Sequence, residues 1–214
     1  MPTSMDQKLE KGRILVYGVR NNASIMERIA PVYPEDRLQL GMDLYQAADE
    51  SFNAQSKEKS EASKAMKDFQ NLNDRAYQRL VRIRQVGRYF FKNEIELYTL
   101  LNLHIDIPTT FAEYHRMATQ TVNAILQHES IQTKMTILDM DTAFMTSYQQ
   151  ELGQLADLKL TAEKEDGEAQ KATVAKNEAY NAFMAYCKDL RECLKLFYFG
   201  NEAQVLEEVG IIVK

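Results

Sequence analysis

Between Gly41 and Gly87 the chain contains no glycine or proline, and the same is true from Thr109 to Leu152. That absence constrains the fold more than any motif. Strands of ordinary length need frequent turn residues, so long stretches rich in Ala, Leu, Glu, Gln and Lys predict long helices, in a chain with only 8 Gly and 4 Pro among 214 residues. Apolar residues make up 45% and charged residues 27%, which is enough for a real core. No run reaches the roughly 18 apolar residues of a membrane span, so the chain is expected to be soluble, with no membrane insertion. The opening "MPTSMDQKLEKGRILVYGVR" lacks the apolar centre of a secretory signal. This predicts a cytoplasmic protein and leaves open a signal already removed. Cys187 and Cys193 lie on different faces of one predicted helix and form no Cys-x-x-Cys site, so free buried thiols are expected.

The chain also says nearly the same thing twice. "YFFKNEIELYTLL" at residues 89–101 returns as "FYFGNEAQVLEEV" at residues 197–209. Upstream, Ala65, Leu72, Ala76, Ile83, Val86 and Phe90 fall on Ala172, Ala179, Phe183, Leu190, Cys193 and Phe197, with Gly200 as an inserted residue. Further back, Val16 meets Val122, Val19 meets Ile125, and Ser24-Ile25 meets Ser130-Ile131. Three blocks in the same order predict two tandem repeats, 1–107 and 108–214.

Each repeat is expected to hold about three helices and a short closing helix. In the first repeat, Met5, Leu9, Gly12, Val16, Val19, Ala23, Met26 and Ala30 mark one amphipathic helix, ended by Pro31 and Pro34. Leu38, Met42, Tyr45, Ala48 and Phe52 mark a second. Phe69, Leu72, Ala76, Leu80, Ile83 and Val86 mark a third. The polar tract 53–64 reads as a helix end or hairpin tip, and so does "EKEDGE" at 163–168, where Asp166 and Gly167 are turn residues. Asn93 with Glu96, and Asn201 with Gln204, have the spacing of capping boxes, and Gly200 suits the left-handed residue ending the helix before. The expected fold is an all-α, elongated helical bundle with its two repeats docked as one globular unit. Docking is expected because the join from Leu103 to Phe111 has one Pro and no flexible spacer, because the apolar Ile14, Leu15, Ile25 and Ile29 lie outside the first helix's main seam, and because the halves are oppositely biased in charge.

The closing "NEAQVLEEVGI", after a long helix ending in aromatics, resembles the ends of uncharacterised bacterial helical-bundle proteins built from similar repeats. The likeness covers mainly residues 175–212 and implies a helical bundle; no activity comes with it.

Chemistry-bearing patterns are sparse. The residues three before His104, His115 and His128 are Leu101, Ala112 and Ile125, so the Glu-x-x-His pairs of a di-metal bundle are absent. There is no zinc helix, phosphate loop, dinucleotide fingerprint or nucleophile elbow. His115 faces the predicted core and reads first as a hydrogen-bonded core histidine, second as a ligand. Asp139 and Asp141 read as acidic residues at a helix start before they read as a cation site, and Met135, Met140 and Met145 as core before groove. No catalytic residue, cofactor or metal is assigned.

Arg75, Arg79, Arg82, Arg84, Arg88 and Lys92 share one helix with Tyr77 and Tyr89, the mixture seen in nucleic-acid or anionic-surface binders. At about 100° per residue these arginines divide between two flanks, so no single basic face forms. The halves differ in charge, 16 basic to 15 acidic residues against 10 to 16, and the whole chain is at −5. An acidic chain disfavours polyanions. The reading is therefore a non-enzymatic helical interaction or scaffolding protein with a protein partner, and homo-oligomerisation open. A small-ligand or metal-binding bundle is the alternative, and nucleic-acid or anionic-surface binding through Arg75 to Lys92 is third.

Overall fold

The computed structural model describes residues 4–211 and, for Asn201, the backbone alone. It is an all-α helical bundle, 86% helical, with no strand among the described residues. Its elements are α1 (Met5–Asn21), α2 (Ala23–Ile29), α3 (Glu35–Phe91), α4 (Ile95–Leu100), α5 (Phe111–Gln127), α6 (Glu129–Thr136), α7 (Thr142–Phe197) and a closing 3-10 helix (Gly200–Val209). None of these helices is long and apolar enough to cross a membrane.

Local chemistry accounts for the ends. Ser4 and Gln7 form a reciprocal capping box, the Ser4 hydroxyl accepting from the Gln7 amide at 3.2 Å and the Gln7 side chain from the Ser4 amide at 3.1 Å. The single helix expected over 5–30 is interrupted at Asn22, whose backbone is extended and whose side-chain oxygen accepts from the Ile25 amide at 3.2 Å. That break resets the helical phase. Ile25 and Ile29 become fully buried, while Ala23 and Ala30 are exposed. Leu15, Ile25 and Ile29 thus lie inside a core of their own, and of the four residues that motivated docking only Ile14, 42% exposed, remains outside. A second break occurs at His128, extended like Asn22, between α5 and α6.

The two polar tracts are helix, not tips. Residues 53–64 lie inside the 57-residue α3, and Glu163–Glu168, Gly167 included, inside the 56-residue α7. Loss of an apolar stripe marks loss of burial, whereas Ala, Gln, Glu and Lys keep the backbone helical without it. One interior glycine costs about 1 kcal/mol, less than those flanking residues supply.

Backbone contacts divide the chain into two compact units, and these differ from the 1–107 and 108–214 halves. Unit 1 joins Met1–Ser60 with Gly167–Lys214; unit 2 is the continuous stretch Glu61–Asp166. The core of unit 1 gathers Val16, Val19, Ile25, Ile29, Tyr33 and Leu38 with Phe183, Cys187, Leu190, Leu194 and Val209. That of unit 2 gathers Ala76, Leu80, Ile83 and Phe91 with Ala118, Val122, Ile125, Met135, Met145, Tyr148 and Leu155. Each unit therefore draws on both of the predicted repeats.

Candidate functional site

The arginine-rich turn of α3 lies in unit 2, and most of its charges are already engaged. Glu151 of α7, 6% exposed, accepts from Arg75 Nε at 2.5 Å and from Arg79 Nη1 at 2.9 Å. Arg79 also lies over the Phe144 ring at 5.1 Å. Arg84 is 2% exposed, so it cannot belong to an interaction surface. Its Nη1 donates to the Asn102 carbonyl at 2.6 Å and its Nη2 to the Ile105 carbonyl, while Arg88 Nε donates to the Leu103 carbonyl at 3.1 Å. Asn102 has a positive φ of 55°, and its loop carbonyls have no helical partner, so the guanidinium fork supplies donors that a helix end lacks. Burial first, then the neighbouring Arg88 charge, pulls the Arg84 pKa below the ordinary guanidinium value. Arg82 is exposed and has neither an ion pair nor a side-chain hydrogen bond, whereas Arg88, also exposed, is held by the Leu103 carbonyl.

The predicted caps are displaced. The N-cap of α4 is Glu94, without a side-chain cap bond, and Asn93 sits one residue earlier in an exposed turn with Glu96 exposed beyond it. Lys134 Nζ pairs with the Glu94 carboxylate and lies over the Phe91 ring at 5.1 Å, so Glu94 has been recruited into tertiary contact. In unit 1, Phe199 is the N-cap of the closing 3-10 helix; Gln204 is exposed inside that helix, and the Asn201 side chain lies outside the described residues. Gly200 adopts the expected left-handed conformation at φ 62°.

The remaining candidates separate. His115 Nε2 meets the Leu152 carbonyl at 2.9 Å and its ring stacks near Phe111 at 5.4 Å, a hydrogen-bonded but only half-buried histidine. Asp141 accepts from the Phe144 amide at 2.8 Å and so caps α7, while Asp139 takes a left-handed turn at φ 61°. Met135, Met140 and Met145 are buried in the core of unit 2. Cys187 and Cys193 are free and buried; burial pushes the Cys187 thiol up to about 12.

Sequence reasoning missed two features of unit 2. One is an apolar corner. Tyr89, Ile95 and Ile137 are 69%, 81% and 67% exposed, Leu100 and Leu138 are half-exposed, and the Glu94–Lys134 pair ties together the segments that carry Ile95 and Ile137. The other is a cleft of about 420 Å³ lined by α3, the Ile107–Thr109 turn and α5. Its Tyr114 hydroxyl and Asn73 Oδ1 are buried without a hydrogen-bond partner. Burial, then the Glu151 and Asp74 carboxylates, holds the Tyr114 phenol well above its ordinary value, so it stays protonated. Neither feature has periodicity or a motif to announce it, because the cleft forms only when α3 and α5 meet and the exposed apolar residues come from α3, α4 and the segment after α6.

The chain matches no known family model, no curated protein and no solved structure.

Proposed function

We propose that the protein is a non-enzymatic helical interaction protein of the cytoplasm whose partner is another protein, docked on the apolar corner of unit 2. The observation that carries this reading is the exposure of Tyr89, Ile95 and Ile137, with Leu100 and Leu138 half-exposed, on segments that the Glu94–Lys134 pair joins. Large apolar side chains grouped at one corner favour burial by a partner, at roughly 25 cal/mol for each Å² removed from water. The flanking Glu94–Lys134 pair supplies the polar rim that such interfaces carry. The basic turn of α3 supports no polyanion reading, because Arg75, Arg79, Arg84 and Arg88 are held by Glu151 and by loop carbonyls.

The proposal includes a tandem origin for the two halves. Its support is the recurrence of element lengths, with α1 and α5 both 17 residues and α3 and α7 at 57 and 56, and the matching breaks at Asn22 and His128. The test is affinity capture from the native cell with the whole protein and with an Ile95→Asp, Ile137→Asp double variant. Both sites are exposed, so the variant should unfold at the same temperature and lose the captured protein. Equal capture by both proteins would refute docking at this corner.

A further inference from the structure

The last turns of α3 show what chemistry a partner at the apolar corner must carry. Arg82, Gln85 and Tyr89 follow one another at spacings of three and four, so they share one face of the helix, and Lys92 continues that face just past Phe91. All four are exposed, while the opposite face, with Leu80, Gly87 and Phe91, is buried. The Tyr89 ring is held edge-on to Phe90 at 5.2 Å between ring centres, and Ile95 opens α4 three residues after Lys92.

The charges along this strip have one sign. No acidic residue occurs from Arg75 to Lys92. Elsewhere the chain pairs its exposed cations within a helix, as in Arg13–Glu10, Lys159–Glu163 and Lys188–Glu192. Arg82 and Lys92 have no such neighbour, and neither has an ion pair among the described residues. The nearby Glu94 carboxylate is taken by Lys134. In the matching turns of α7 both signs alternate, with Lys188, Asp189, Arg191 and Glu192. Two unpaired cations around an exposed ring are too few for nucleic acid, whose affinity grows with each phosphate neutralised. They are enough to orient a protein partner, because exposed charge selects a partner more than it strengthens binding.

We propose that the segment that docks here is acidic and apolar together, an amphipathic stretch whose carboxylates meet Arg82 and Lys92 and whose apolar side chains cover Tyr89 and Ile95. The inference rests on the protein-docking reading above and names the chemistry of its partner. Arg82 and Lys92 stand roughly 15 Å apart along the helix axis, with Tyr89 roughly 10 Å from Arg82. The partner therefore carries its acids at the two ends of a short apolar patch.

Fluorescence anisotropy with the full chain tests this, using a labelled amphipathic helical peptide of leucine and alanine flanked by glutamates, and the same peptide with glutamine or lysine in place of glutamate. The glutamate peptide should bind saturably below the millimolar range, the glutamine peptide roughly tenfold more weakly, and the lysine peptide not at all. An Arg82→Glu, Lys92→Glu double variant should reverse that order at an unchanged melting temperature, since both residues are exposed. Ile95→Asp should weaken every peptide that binds. Equal affinity for the glutamate and glutamine peptides would overturn the acidic partner and leave docking at the corner standing, and so would an unchanged order in the double variant. Tighter binding to phosphatidylglycerol vesicles than to the glutamate peptide would overturn it in favour of a membrane surface. No saturable binding of the glutamate peptide up to about 1 mM would overturn it as well; the captured-protein comparison with Ile95→Asp, Ile137→Asp still judges the docking reading separately.

Discussion

Unit 1 bonds the hydroxyls of its buried Tyr33 and Tyr186 within its own chain, whereas unit 2 bonds that of Tyr148 and leaves that of Tyr114 without a partner. In unit 1, Asp189 accepts from the Tyr33 hydroxyl and, at 2.6 Å, from Arg37 Nη2, while the Tyr186 hydroxyl donates to the Arg37 carbonyl at 2.9 Å. The Tyr186 ring lies so close to Gly41 that a Cβ there would come within 2.3 Å of it. With α3 and α7 aligned from their first residues, Glu35 and Thr142, Tyr148 stands at the place of Gly41 and Arg79 at that of Tyr186. In unit 2, therefore, the ring crosses from the other position: the Tyr148 hydroxyl donates to the Ala76 carbonyl at 2.9 Å, and Arg79 reaches Glu151 instead. Similar helices are thus packed by exchanged large and small partners. Arg82 stands where unit 1 has Asp189, and elsewhere in unit 2 the Tyr114 hydroxyl has no hydrogen-bond partner.

The units differ first in continuity. Because unit 2 is one stretch and unit 1 is two, residues 61–166 expressed alone should be soluble and cooperatively folded, whereas 1–107 alone should aggregate, having neither core complete. Circular dichroism melts and gel filtration of the two fragments decide it; a folded 1–107 would break the comparison outright. Next in size is Arg84→Met, which keeps the side chain's bulk but strips donors from the Asn102 and Ile105 carbonyls. It should cost about 3 kcal/mol by urea unfolding, with no counterpart in unit 1. Gly41→Ala should cost about 2 kcal/mol, because a methyl group must displace the Tyr186 ring; a neutral result would mean that the ring is free to move.

A smaller contrast isolates the hydroxyls. Tyr186→Phe should lose about 1 kcal/mol with its bond to the Arg37 carbonyl, while Tyr114→Phe should leave stability unchanged or slightly raised, since no partner is lost. Equal losses would mean that Tyr114 is bonded after all. Smallest is Gly167→Ala, predicted to stabilise by about 0.5 to 1 kcal/mol, because the residue is helical and nothing lies within 4 Å of the added methyl group. A loss of stability there would restore the turn that the Asp166-Gly167 pair suggests.

What the sequence made legible was whatever one helix decides for itself. The stripe Phe69, Leu72, Ala76, Leu80 and Ile83 is buried as its spacing predicts, and Gly200 is left-handed as its position predicts. The polar tracts misled because periodicity reports burial, and a helix can continue where burial stops. Asn93 misled because a cap is chosen in competition with tertiary contacts, and Glu94 is drawn to Lys134. Arg84 was unreadable for a related reason. Nothing in its own neighbourhood shows that the Asn102 and Ile105 carbonyls, well downstream in the loop, need donors. The cleft and the apolar corner join residues from several elements, and no local pattern connects them.

The division of unit 1 between the two ends of the chain also sets an order in time. On the ribosome, residues 61–166 can complete their core as soon as they emerge, but residues 1–60 must wait until 167–214 have been made. During that interval Val16, Val19, Ile25, Ile29 and Leu38 have no permanent cover. Of the two units, the one whose first residues are made earlier is therefore the later to be completed, and a nascent chain stalled near Asp166 would combine a folded unit with an apolar segment that invites chaperones or a second stalled copy.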